Sequence, residues 1–435
     1  MIVFALVWMN TYIMSFPEWI RSWGQVNGLI SQEGLMDKVK VGILGLRRGL
    51  SHLRNFLNTD EAEVIGAADR IPLWRDRAAE SVHKMDREVT FVSEFDELLE
   101  MKPDAVAIAS NGRMQAEHAI QALEAGCHVL SEVPGAMSQE EILHIAMTVE
   151  RTGKQYMLAE NSSFQNFLRY WRKWMVEGRF GAVSMADGEY LHYLPGTMVN
   201  TQGEHFPPSE AREKQMTDVR PVWRADQPPI QYLTHDLGPL LEVLDDRVVS
   251  VNCVEAPWWN PETPLRSDGQ YALFKTAKGR LIRILVTLNT RRPGAHNYRL
   301  FGTQGSIEWY SHEGFCRRLD RDREEKEGWE KVDIGTARAE SDKASGHGGT
   351  DIWTAITFSR ALVEGKRVPI DVFRMADYTL PGILANRSAE NGGAAIAVPD
   401  IRREPFVNTE FWDHVGIPDD EPEGTKYVSD SSQAY

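Results

Sequence analysis

Apolar and polar positions follow two regimes along the chain. From Val39 to Glu160 short apolar runs alternate with segments of helical spacing. The runs are KVKVGILGL, AEVIGAAD, VTFV, DAVAIAS, CHVLSEV and QYMLAE; the helical segments are RNFLNT, WRDRAAESVHKM, FDELLEM, AEHAIQALEAG and SQEEILHIAMTVERTG. Strands taking turns with amphipathic helices predict right-handed βαβ units and a parallel sheet. Ser138 and Glu141 are spaced as a capping box, and Gly126 and Gly153 stand where helices end. After Glu160 the alternation stops. NFLRYWRKWMVEG reads as one more helix, and AVSMADGEYLHY, RVVSVNCVEA, QYALFKTAKGRLIRILVTLNT, HNYRLFGTQGSIEWY and RRLDRD read as strands with long loops. Ala277-Lys278-Gly279 has the place and composition of a hairpin turn. Two more helices are expected near 351–364 and 371–391. The pattern predicts an α/β domain with a parallel sheet, followed by an α+β domain with a mostly antiparallel sheet. The expected divisions are 1–36 as an N-terminal extension, 37–160, 161–400, and a tail over 401–435. The polar end of that tail, IPDDEPEGTKYVSDSSQAY, is expected to be disordered.

Composition narrows the function. The chain has 435 residues and a net charge of −15, which argues against nucleic acid as a partner, since that needs a basic footprint. Cys127, Cys253 and Cys316 are scattered, so neither a disulfide framework nor a metal site is expected, and a cytoplasmic setting fits best. The apolar start, MIVFALVWM, lacks the basic flank and cleavage site of a signal peptide and is too short to span a bilayer, so no membrane role is expected.

Chemistry enters at the first strand's end. In GILGLRRGLSH, residues 42–52, a glycine turn leads from strand to helix, where dinucleotide folds place their phosphate-binding glycines. With Gly45 first, Arg47 occupies the middle-glycine position, so its side chain must swing away or meet phosphate itself. Asp69 ends the second strand, where an acid accepts the adenosine ribose hydroxyls and disfavours a 2′-phosphate; Arg70 beside it leaves NADP open, with NAD preferred. The candidate cofactor residues are Gly45, Leu46, Arg47, Arg48, Asp69, Ser110, Asn111, Glu132, Val133, Glu160 and Asn161, all at carboxyl ends of strands. Tyr190 and His192, two apart on a strand, face one side. His235 stands at a helix start that Thr234 or Asp236 would cap. His347 lies in the glycine-rich loop SGHGGTD, where Asp351 is placed to bond sugar hydroxyls. These four rings suit acid–base work near neutral pH. Of the tryptophans, Trp171, Trp174, Trp223, Trp258, Trp259 and Trp353 are candidates for sugar stacking, although most are expected in the core.

The Rossmann start, DAVAIAS, AEHAIQALEAGCHVLSEVP and the antiparallel second half resemble the glucose–fructose oxidoreductase, inositol dehydrogenase and MocA family over about 39–400. SEVPGAM, AENSSF, GEYLHYLPG, YLTHDLGPL, TRRPG, SGHGGTD and ENGGAAIAVPD resemble one branch of it, the NAD-dependent α-N-acetylgalactosaminidases. The resemblance implies NAD, a small carbohydrate substrate, and a homo-oligomer formed through the second-domain sheet. The family's usual Glu-Lys-Pro is Glu132-Val133-Pro134 here, as in the branch, so its lysine does not carry over. Gln115 stands where relatives often have histidine. The leading expectation is hydride transfer between a nicotinamide and a secondary alcohol of a sugar, sugar derivative or cyclitol. The alternatives are glycoside cleavage through transient C3 oxidation, with no net NAD turnover, and a non-catalytic sugar- or nucleotide-binding member.

Overall fold

A computed structural model describes residues 37–194, 198–225, 227–259, 267–323, 326, 328–402, 409–422 and 426–427. The expected extension over 1–36 lies outside them. Strands β1 (Val39–Leu44), β2 (Ala62–Ala68), β3 (Thr90–Val92), β4 (Ala105–Ile108), β5 (His128–Ser131) and β6 (Tyr156–Leu158) form a sheet ordered β3-β2-β1-β4-β5-β6. Every pairing in it is parallel. Between them lie α1 (Gly49–Leu57), α2 (Pro72–Lys84), α3 (Phe95–Glu100), α4 (Gln115–Glu124) and α5 (Gln139–Thr152). The helices cover the sheet, so strands such as β1 (VKVGIL) and β4 (AVAI) are buried almost throughout. Ser138 caps α5 by accepting from the Glu141 amide at 3.1 Å, and Gly153 closes it in the left-handed region. The strand order reverses between β1 and β4, and ligands of open α/β sheets bind at the carboxyl ends of strands beside such a switch point.

The second half opens with α6 (Asn166–Val176) and builds a ten-stranded sheet. Its strands are β7 (Val183–Leu191), β11 (Val248–Glu255), β12 (Gly269–Thr276), β13 (Leu281–Thr287), β14 (Ala295–Gly302), β15 (Ser306–Tyr310), β16 (Cys316–Leu319), β17 (Glu330–Val332), β18 (Ile396–Ala397) and β19 (Lys426–Tyr427). The order is β18-β11-β12-β13-β7-β14-β15-β16-β17-β19, antiparallel except where β13 meets β7. The 277–279 turn joins β12 to β13, with the Gly279 amide donating to the Thr276 carbonyl. One sheet face is packed by α6, α8 (Thr234–Leu244) and α10 (Val372–Glu390). There Phe167, Trp171, Tyr298 and Trp309 form an aromatic core, with Phe167 stacked on Trp309 at 4.6 Å. Helix α9 (Asp351–Val363) leaves this domain to pack on α1.

An inserted stretch carries β8 (Met198–Asn200), β9 (His205–Phe206), α7 (Pro208–Glu213) and β10 (Val219–Pro221), its strands forming a sheet ordered β10-β8-β9. The tail carries α11 (Thr409–Val415), ahead of the stretch 417–435 expected to be disordered; of that stretch only 417–422 and 426–427 are described, and these depart from the expectation, with β19 joining the large sheet. Between α11 and β19, Glu421 accepts from Lys173, Arg179, Arg318 and the Trp174 indole. A polar composition did not prevent docking because the acceptor it offers meets a basic, aromatic patch. The capping expectation at α8 also fails: the helix follows a 3-10 turn over Pro229–Tyr232 and has no side-chain cap.

Candidate active site

The phosphate turn is built on close backbone approach. Gly45 has φ +85°, and a Cβ there would stand 2.7 Å from the Ala109 carbonyl of the loop after β4. Gly49, first in α1, lets the helix sit against Ile43 and Ala109. Asp69 accepts from the Leu46 amide at 2.7 Å and the Ile71 amide at 2.8 Å, tying the turn to the end of β2. Each carboxylate oxygen keeps a second lone pair, so a ribose hydroxyl remains acceptable. Arg47 does swing aside, its guanidinium 6.0 Å from the Trp74 ring centroid. Arg224 of the second domain lowers its pKa further, after burial. Ser110 bonds His118 at 2.8 Å, and Asn111 accepts from the Arg113 amide. This is the cradle a dinucleotide needs: a glycine turn at a helix N-terminus, an acid beyond it, and a basic side chain at the turn.

The inserted stretch crosses the same edge. Gly203 packs so closely that a Cβ would lie 2.8 Å from the Trp74 indole nitrogen, and Trp223 lies where a Cβ on Gly112 would meet it at 2.7 Å. Trp223, one of the expected stacking candidates, is half-buried and stacks on Tyr232 at 6.4 Å. Trp171 and Trp174 are core, while Trp258 and Trp259 are exposed. Trp353 lies under Arg338, 3.8 Å from its guanidinium.

Several expected cofactor or sugar contacts are instead committed to one another. Glu132 is 6% exposed and bonds Arg48 at 2.7 Å and His52 at 2.8 Å. Burial pushes its pKa up, but Arg48 and His52 outweigh this and bring it down to about 2. Asp351 receives Arg48, Ser51, Asn161 and His347 within 2.7–2.9 Å, so its oxygens are saturated rather than open to sugar hydroxyls. Asn161 thus serves Asp351, and His347 stands half-exposed at the rim. Val133 is buried and apolar, and Gln115 bonds the backbone on either side of Pro134, donating to the Val133 carbonyl and accepting from the Gly135 amide.

Tyr190 and His192 share a face as their spacing implied, and His235, from the start of α8, joins them. Tyr190 and His192 lie 4.3 Å apart, and Tyr190 stacks on His235 at 5.5 Å. Glu160, expected at a ligand, holds His235 Nδ1 at 2.7 Å, and Tyr298 fixes the helix start by donating to the His235 carbonyl. Burial disfavours a charged His235, yet Glu160 overrides it and raises its pKa. Burial holds the Tyr190 phenol well above its usual range. Burial and then the charges of His296, His235, His347 and Arg224 push His192 down to about 4. Sequence reasoning missed three members. Tyr232 sits 5.4 Å from Tyr190; His296, paired across from Tyr190 on β14, approaches it edge-on at 4.8 Å; and Asp236 lies 3.4 Å from His296 Nδ1. Tyr232 was legible from its place three residues before His235, His296 needed the strand register, and Asp236, next to His235, reads in the sequence only as a helix cap. Among the described residues, no group of three or more His, Cys, Asp or Glu is arranged to hold a metal ion.

Comparison with known proteins agrees with this architecture. Residues 39–160 match the family described as oxidoreductase family, NAD-binding Rossmann fold, of the Gfo/Idh/MocA type. Residues 265–408 match the glycosyl hydrolase 109 C-terminal domain. The chain is 28% identical over 445 residues, 92% of each chain, to a glycosyl hydrolase family 109 protein of Bacteroides fragilis. It is 27% identical over 424 residues, 87% of each, to one of Phocaeicola vulgatus. In fold it resembles levoglucosan dehydrogenase, solved with NADH and L-sorbose, at TM-score 0.69 and 21% identity, covering 84% of this chain and 100% of that one. An inositol dehydrogenase homologue from Azotobacter vinelandii, complexed with NADH and myo-inositol, gives TM-score 0.63 and 17% identity, with 83% and 98% covered.

Proposed function

We propose that this enzyme, which joins a Gfo/Idh/MocA NAD-binding Rossmann domain to a glycosyl hydrolase 109 C-terminal domain, cleaves glycosides by transient oxidation of the sugar, with no net consumption of NAD. The observation that carries this reading is the group of five rings, Tyr190, His192, Tyr232, His235 and His296, gathered with two buried carboxylates in a site whose residue 133 is an inert valine. Net sugar oxidation, the leading expectation from sequence, has less support. The relatives similar over about nine-tenths of the chain are named glycosyl hydrolases, whereas the dehydrogenases share the fold alone.

NAD would be held by the Gly45 turn and Asp69, and would supply the reversible removal of hydride from C3, leaving a ketone that acidifies the C2 proton. His235 donates Nδ1–H to Glu160, which leaves Nε2 as an acceptor for the proton of the C3 hydroxyl. Tyr190, kept a neutral phenol by burial, is the donor for the departing glycosidic oxygen. Trp223 and the inserted stretch cover the edge of the cleft and exclude water from it. The preference for NAD over NADP rests on Asp69. A two-fold assembly is part of the same reading: Met185, Val254, Tyr271, Leu273 and Leu281 stand exposed on neighbouring strands of the large sheet, an apolar face that suits a second copy of the chain. The three buried, unpaired thiols suit a reducing cytoplasm.

The test is to mix purified enzyme with an aryl glycoside and follow both products. Release of the phenol with no accumulating NADH is expected. Bulk NADH without cleavage would return the protein to the simple dehydrogenases.

A further inference from the structure

We propose that Asp236 and His296 are positioning residues that make Nδ1 of His192 the acceptor for the C2 proton. This rests on the glycoside-cleaving reading above. Asp236 is fully buried on α8; its Oδ1 lies 3.4 Å from His296 Nδ1, and its Oδ2 has no hydrogen-bond partner. On the other side of the ring, His296 Nε2 stands 3.4 Å from His192 Nε2. Two facing ring nitrogens bond only when one carries a proton and the other does not. The Asp236 carboxylate claims the Nδ1–H of His296, so His296 Nε2 is bare. The shared proton therefore belongs to His192 Nε2, and the lone pair of His192 is on Nδ1. Gly294 serves the same edge, because a Cβ there would lie 3.0 Å from His192 Cε1 and Nδ1.

The chain of groups also gives the proton somewhere to go. Once C3 is a ketone, the C2–H bond breaks and its proton joins His192 Nδ1. The electron pair forms the C1–C2 double bond as the C1–O bond to the aglycone breaks, and the leaving oxygen takes the Tyr190 proton. The new imidazolium passes Nε2–H to His296, and the charge rests beside Asp236. Water then adds: its oxygen goes to C1, its proton restores Tyr190, and the His192–His296 pair, whose N–H protons exchange with solvent while the pair is charged, delivers a proton to C2. The groups that face His192, which follows directly on β7, are Tyr190 on β7, His296 on β14, His235 on α8, His347 on the rim loop and Arg224 on the inserted stretch. Burial first, and then nearby charge such as that of Arg224, keeps the ring neutral at neutral pH, ready to accept rather than donate. This arm is separate from the Glu160–His235 pair; the two histidine rings, His235 and His296, cross edge to face at 6.0 Å.

Two variants, Asp236→Asn and His296→Gln, test the arrangement in the full-length enzyme. Nitrogen-15 spectra of the histidine rings read the tautomer without any turnover. Wild type should show His192 protonated at Nε2, and both variants should show a mixture. Exchange of the C2 proton of an aryl glycoside with deuterated water should fall roughly 10²-fold in both, and further than hydride transfer, read as nicotinamide absorbance in a single turnover. The proposal is overturned if the His192 tautomer is unchanged and exchange stays within about threefold of wild type. It is also overturned if exchange and hydride transfer fall equally, which marks a scaffold role. A wild type that neither cleaves nor exchanges any aryl glycoside sinks the functional reading instead, and the ring tautomer then still reports on the Asp236–His296–His192 contact.

Discussion

At Glu132 a buried carboxylate is held ionised by Arg48 and His52, and the pKa falls to about 2 from an ordinary value of 4.5. A carboxyl whose pKa is depressed on folding adds stability above its unfolded pKa and loses it as pH falls through the folded one. Wild type should therefore lose on the order of 3 kcal/mol from this group between pH 4.5 and 2. In urea unfolding Glu132→Gln should lose roughly 3 kcal/mol at pH 7, where the buried Arg48 and His52 lose the carboxylate they share and Arg48 keeps only Asp351, and should lack that acid component. His235 has the opposite sign. Its pKa is raised, so its contribution is complete below about 6.5 and fades as pH rises through the folded value. With His235 as the proposed base, Glu160→Gln should move the acid limb of the kcat profile to lower pH and cut kcat roughly 10²-fold. An unchanged limb would remove Glu160 from the mechanism. Residue roles were partly legible in the sequence. Tyr190 and His192 follow from a two-residue repeat on a strand. Asp351 and Asn161 were misjudged because their partners, Arg48 and His347 among them, come from distant parts of the chain.

Among elements, the strand and helix order was legible nearly throughout, since period-2 and helical patterns are local. The inserted stretch at 198–225 was not. Its strands are two or three residues long, and its purpose appears only where Gly203 meets Trp74 and Trp223 meets Gly112. These contacts lay second-domain backbone and an indole across the dinucleotide edge. Trp223→Ala should open that cover and raise the dissociation rate of NAD roughly 10-fold, about 1.4 kcal/mol, measured by chasing bound cofactor with labelled NAD. Release at the wild-type rate would show that the stretch covers the cleft without holding the cofactor. The tail is the other element hidden from sequence, because Glu421 is polar in composition yet buttressed by three cations and an indole.

For the whole molecule, two domains meet through α9 on α1 and through the Arg48–Asp351 ion pair, so the rings proposed for acid–base work in one domain face the cofactor turn of the other. The outward face of the large sheet, with Tyr271 and Leu273 each more than half exposed, is proposed to pair with a second copy. Leu273→Glu should convert a dimer to a monomer in light scattering while leaving the ring cluster intact. A wild type that is already monomeric would discard the pairing. The central claim is that the sugar is oxidised, eliminated and rehydrated within one site. Its most direct measurement is the sugar released from an aryl glycoside in deuterated water. Deuterium at C2, with no net NADH, is the expected result; cleavage that leaves the C2 proton untouched would contradict it.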